Sequence, residues 1–194
     1  MAFEDYEWLA RSASPEVARA RALPLAGPDG RGSRGFVAVV VVPHSRETMP
    51  VLSMQLADTV LRYLTSRAPA GIGGGLRVLP PSYLAVGVRA DVAPASVDEA
   101  ATVEARMRTS LTSFLHPTTG GIDGRGWDFG DRVYLSDVAA LIRRVAGVAT
   151  IEQLQLMVGQ VVYGDSVPVA PEQLVCAGEM KLRIVVASST YALA

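Results

Sequence analysis

The chain has 194 residues and a mass of 20.5 kDa, with 49% apolar residues, 19% charged residues and a formal net charge of −1. That composition supports a packed core, in one domain or two small ones, and is too apolar for a disordered chain. The near-neutral charge excludes an overall electrostatic pull toward nucleic acid or anionic membrane, and a single cysteine, Cys176, excludes an intramolecular disulfide framework and a multi-cysteine zinc site.

Tyr6 to Arg11 predicts a short helical turn closed by Ser14 and Pro15. Val17 to Leu25 alternates and predicts a strand, followed by the turn-rich run Gly27 to Gly32. Phe36 to Val42 is nearly continuous and β-branched, which predicts a strand buried on both faces. The two strands read as a hairpin with a mobile tip. Leu52, Leu56, Val60, Tyr63 and Leu64 then form one helical stripe. Arg77 to Leu79 predicts a short strand before Pro80 and Pro81, and Tyr83 to Val92 a longer one with Leu84, Val86 and Val88 on one face. Ser96, Val97, Asp98 and Glu99 fit a capping box. The helix it would open carries Val103, Met107, Leu111, Phe114 and Leu115, and ends near His116 and Pro117.

A glycine-rich loop follows, from Thr119 to Gly130. A third helix is predicted from about Ser136 to Val145, with Val138, Leu141, Ile142 and Val145 inward and Gly147 as its stop. Ile151 to Val158 predicts a strand. Leu174 to Cys176, a turn at Gly178 and Lys181 to Ala187 predict a closing hairpin. The fold class is therefore α+β: two consecutive small β-α-β modules of ferredoxin-like type, with helices packed on antiparallel or mixed sheets. The modules are expected over residues 1–80 and 81–194. They match at an offset of 51 residues, which maps Val37, Val39, Val41 and Pro43 onto Val88, Ala90, Val92 and Pro94, and Leu56, Val60 and Leu64 onto Met107, Leu111 and Leu115.

The glycine-rich loop is the place to look for chemistry. Its backbone amides could cradle a phosphate, but no Gly-Lys-Ser/Thr is present. Asp123, Asp128 and Asp131 could hold a calcium ion, but their spacing is not that of an EF-hand. The plainer reading is a turn-rich loop pinned to the core by Trp127 and Phe129. The only histidines, His44 and His116, each adjoin a proline and have no metal or triad partners at recognisable spacing. Cys176, between Val175 and Ala177, reads as a small buried hydrophobe. Arg143-Arg144 and the cluster Arg31 to Arg34 lack the interleaved aromatics of a nucleic-acid platform. Lys181 is the only lysine. The acidic opening Met1 to Glu7 is no secretory signal, and the longest aliphatic run, Val37 to Val42, is far short of a membrane span. The chain reads as soluble and made in the cytoplasm, with no catalytic, cofactor-binding or metal residues identified.

Several phrases stand out together: Glu4 to Ala10 with Ala13 to Arg21, and Val39 to Pro43 leading through Pro50 to a Ser53-capped helix ending Tyr63-Leu64. The most specific is Phe114 to Gly121, continuing through Gly124 to Gly130 and on to Val138; Leu174 to Glu179 belongs with them. Together these phrases resemble the baseplate-J-like family. The resemblance implies the carboxy-terminal part of a structural wedge subunit in a contractile phage tail or injection-system baseplate. Its implied partners are other wedge and hub proteins and further copies of itself, with no catalytic residues or cofactors to transfer. Family members are usually longer, and Asp128 stands where a proline is expected between Trp127 and Phe129. The alternative function is a metal- or phosphate-dependent binding protein or enzyme centred on residues 119–130.

Overall fold

The valine run at residues 37–42 can be kept from water only if neighbours cover it, and the first unit of the fold is built around that need. The computed structural model describes residues 2–26, 32–69 and 75–185. These fall into two compact units, Met1–Tyr83 with Ala170–Leu174, and Leu84–Val169 with Val175–Ala194. The class is α+β with mixed sheets, as expected.

In the first unit, α1 (Phe3–Ala13) leads into β1 (Val17–Ala26), β2 (Gly32–Pro43), α2 (Met54–Thr65) and β3 (Leu76–Leu79). β2 is central, antiparallel to β1 and parallel to β3, so β2, α2 and β3 form a β-α-β unit. Val37, Val39 and Val41 share a core with Leu56, Val60 and Leu64 of α2 and with Tyr6 and Leu9 of α1. Ala38, Val40 and Val42 are buried too, so the strand is enclosed on both faces. Asp5 accepts the Ala2 N–H at 2.7 Å at the start of α1, and Ser53 accepts the Leu56 N–H at 3.2 Å to cap α2. The α1 residue Glu7 accepts the Ala22 N–H at 3.1 Å, occupying one of the amides on the outer edge of β1. The hairpin tip lies outside the described residues for Gly27 to Arg31.

The second unit holds β4 (Ser82–Pro94), α3 (Ala100–Phe114), β5 (Val133–Tyr134), α4 (Leu135–Arg143), β6 (Val148–Val158), β7 (Val161–Tyr163), β8 (Ser166–Val167) and β9 (Gln173–Ile184). Four of the strands form a sheet ordered β7-β6-β4-β9, with β6 antiparallel to β4 and to β7. Contacts between β4 and β9 climb together, from Gly87 beside Gly178 and Glu179, to Asp91 with Arg183, to Val92 with Val185; these strands are therefore parallel. Asp91, buried, takes a two-pronged hydrogen bond from the Arg183 guanidinium. Val103, Met107 and Leu111 of α3 and Val138 and Ile142 of α4 are buried in this unit.

The offset of 51 residues has a structural counterpart. β2 and β4 both end on a proline, and both are flanked by one antiparallel and one parallel neighbour. The burial of Leu56, Val60 and Leu64 is repeated by Met107, Leu111 and Leu115. The helices differ in where they start, because a 3-10 turn at Val97–Glu99 precedes α3.

Two local expectations are corrected. Ser96 makes no side-chain cap bond, and the Glu99 carboxylate lies beside Gly147 rather than returning to the Ser96 amide. Gly178 is not a turn: β9 runs unbroken from Gln173 to Ile184. The glycine is there for close approach, since a methyl group at Gly178 would meet Gly87 N and Val86 C at 2.9 Å, both backbone atoms that cannot swing aside. Of the expected Lys181 to Ala187 segment, the last two residues lie outside the described ones. The substitution Gly178→Ala is expected to lower unfolding stability by about 1–3 kcal/mol, the usual range for overpacking, as read by urea denaturation.

Candidate functional site

The glycine-rich loop leaves α3 at Leu115 and reaches β5 at Val133. Trp127 is buried, edge-on to Phe114 with ring centroids 5.3 Å apart and an interplanar angle of 86°. Its indole N–H donates to the Phe114 carbonyl at 2.9 Å. The same carbonyl accepts the Gly121 N–H at 2.8 Å, so the end of α3 is closed by the loop that follows it. The Gly126 N–H donates to Gly120 O, and the Trp127 N–H to Pro117 O. Gly126 has φ +87°, and a methyl group there would sit 2.6 Å from Pro117 O.

These bonds use several of the amides that the phosphate reading would need. The amides of Gly120, Gly121, Arg125, Gly126, Trp127 and Asp128 donate within the segment. The aspartates are used locally as well. Asp123 accepts the Arg125 N–H at 3.1 Å and Asp131 accepts the Asp128 N–H at 2.9 Å. Among the described residues no three His, Cys, Asp or Glu side chains come together as a metal-binding group. Trp127 pins the loop as the plainer reading expected, whereas Phe129, named with it, is only half-buried.

His116 is buried beneath the loop. Its Nδ1 accepts the Thr118 N–H at 3.3 Å and lies 2.9 Å from Thr119 Oγ1. That pattern puts the proton of the neutral ring on Nε2, which is buried without a partner among the described residues. His44 is exposed at the end of β2, where its backbone N–H donates to Glu16 O at 2.8 Å. Arg143 and Arg144 are exposed at the end of α4. Of the cluster Arg31 to Arg34, Arg31 lies outside the described residues. Cys176 is fully buried on β9, and burial pushes its thiol from 9.0 up to about 11.

One feature of the second unit escapes sequence reasoning. A groove of about 510 Å³ opens between α4 and β6, lined by Leu135, Ala139, Arg143, Glu152, Leu154 and Asp165 among others. It exists because β7 pairs with β6 only over Leu156 to Val158. Strand order decides that, and the only local signal was the tight turn at Gly159, which has φ +58°.

Two outcomes test this description. Trp127→Ala is expected to cost about 3–5 kcal/mol of stability, as for other buried aromatics, measured by chemical denaturation. The raised Cys176 pKa means that the folded chain holds the thiol proton more tightly than the unfolded one. Its contribution to stability is complete below pH 9 and is lost as pH rises toward about 11. The stability gap between the natural chain and Cys176→Ala should therefore narrow across that window in pH-dependent denaturation curves.

No protein-family model matches the sequence, and no curated protein matches it. Among solved structures, the fold matches a chain of the anti-feeding prophage (AFP) baseplate, determined by cryo-electron microscopy with 6-fold symmetrisation. The TM-score is 0.62 at 15% identity, over 94% of this chain. The chain spans 37% of the length of that baseplate chain. At this identity the likeness is one of fold: nearly the whole of this chain is similar in fold to a part of an AFP baseplate chain.

Proposed function

We propose that the chain is a structural component of the baseplate of a contractile tail or injection particle, acting by protein–protein assembly. Within that role it serves as a wedge subunit that contacts other wedge and hub proteins and further copies of itself. The observation that carries this reading is the fold likeness to the AFP baseplate chain, which extends over 94% of the residues. The loop signature from Phe114 to Gly130 adds a second line of support, because its residues hydrogen-bond the loop to the end of α3.

The surface is in keeping with such a role. Val51 and Met54 are 82% and 86% exposed in the first unit, and Ile122 is 80% exposed in the second. Large apolar side chains left in water are a cost that a partner surface relieves. Assembly needs no cofactor, metal or catalytic group from this chain. No helix among the described residues is long and apolar enough to cross a membrane. In this reading the protein is made in the cytoplasm and then built into the particle.

Co-expression with baseplate proteins encoded in the same genome, followed by gradient sedimentation, tests the reading. The chain is expected to travel with the baseplate complex. Val51→Glu with Met54→Glu is expected to weaken that association at least about tenfold, the equivalent of 1.4 kcal/mol. A strictly monomeric chain that binds no baseplate subunit and turns over a small molecule would overturn it.

A further inference from the structure

We infer that the solvent-facing stripe of α4 docks on the same stripe of a second copy of this chain, the two helices running antiparallel about a two-fold axis with Asp137 of each copy beside Arg144 of the other. This deepens the assembly reading above, on which it rests for its place in a particle.

Two faces of α4 have different fates. Val138, Ile142 and Val145 are buried and hold the helix to its unit. Asp137, Ala140, Leu141 and Arg144 fall at i, i+3, i+4 and i+7, which is a second stripe. It stays in contact with water. Ala140 and Arg144 are exposed, and Asp137 and Leu141 are only half-buried, although the sequence pattern places Leu141 inward. The stripe has a charge at each end and an apolar middle. Its acid and base lie roughly 10 Å apart along the axis, at 1.5 Å per residue. Neither side chain has an ion-pair or hydrogen-bond partner among the described residues. On the adjoining loop, by contrast, Asp123 and Arg125 pair with each other at 3.5 Å.

That order of charges selects the occupant. A helix with an acid in its first turn and a base at its end is complementary to an antiparallel copy of itself, because an acid then meets a base at both ends. A parallel copy would set acid against acid. Ala140 sits near the midpoint, where the axis passes, and its small side chain lets the two helices approach closely. Beside the stripe, a cavity of about 220 Å³ opens between α4 and the glycine-rich loop, lined by Phe114, Ala140 and Leu141 with Ile122 on its rim. A knob and a hole lying side by side next to a two-fold axis meet their counterparts across it, so the Ile122 of each copy is offered to the cavity of the other. One helix face and one loop bury less than the roughly 1,200–2,000 Å² of a stable free-standing interface. The pair is therefore weak in dilute solution and gains strength when both copies are held in a larger assembly.

Sedimentation equilibrium of the full chain at up to about 1 mM tests the pairing through its charges. The natural chain is expected to form a dimer. Asp137→Arg and Arg144→Asp, each alone, set like charges together at both ends and should weaken the dimer at least about tenfold. Mixing the two single variants restores opposite charges at both contacts, so a heterodimer of near-natural affinity is expected. The double variant Asp137→Arg with Arg144→Asp should recover likewise. Recovery needs folded chains, so it separates a lost contact from a lost fold. Ala140→Glu, at an exposed position between the helix ends, places two carboxylates at the axis and should weaken the dimer by a similar factor; it decides the matter if the end variants fail to fold. A chain that stays monomeric, a dimer indifferent to these substitutions, or folded single variants that do not recover on mixing overturn the inference. If the chain joins baseplate particles but never dimerises, this inference falls and the assembly reading stands. If it dimerises through α4 but joins no baseplate, the assembly reading falls and the pairing stands as a contact of the isolated chain.

Discussion

A β-strand made almost wholly of valine and alanine has no polar face to turn toward water, and that constraint organises the first unit. β2 is buried from Val37 to Val42, so it needs a ladder on each edge and cover on each face. β1 and β3 supply the ladders, and α1 and α2 pack against the face of Val37, Val39 and Val41. The parallel pairing with β3 demands a crossover, which α2 provides. β4 meets the same requirement in the second unit with one antiparallel and one parallel neighbour. Its parallel neighbour, β9, arrives only after two helices and four short or long strands have intervened.

The loop after α3 shows glycine used for geometry in a setting that invites a chemical reading. Glycines in sequence suggest an anion cradle, but here they let the chain fold back on the end of its own helix. Phe114 O receives both a backbone and an indole N–H. The Trp127 ring then fills the space against Phe114. Six amides of the segment are committed in this way, which is why the loop can be long, rich in glycine and still well defined.

What could be read from the sequence was what repeats locally. The stripe Leu56, Val60, Leu64 and the run Val37 to Val42 determine periodicity and burial without reference to the rest of the chain. The Gly178 turn was misread because a glycine for a bend and a glycine for a close backbone crossing look alike in one dimension; only Gly87 on the neighbouring strand distinguishes them. The Ser96 to Glu99 capping box had the right residue types, but Glu99 lies instead beside Gly147, far along the chain. Strands as short as β5, β7 and β8 carry too few residues for an alternating pattern to register. The α4–β6 groove depends on which strand ends early, a property of topology whose one local trace is the turn at Gly159.

The chain's only cysteine and only lysine both lie on β9, at positions 176 and 181. Cys176 is sealed inside, whereas the Lys181 ammonium reaches out to Glu179 at 3.1 Å. A thiol-directed label therefore reports opening of the interior, while a lysine-directed label reports what lies against the outer part of the same strand. With the two reagents, loss of structure and arrival of a neighbour can be followed separately from one element of the fold.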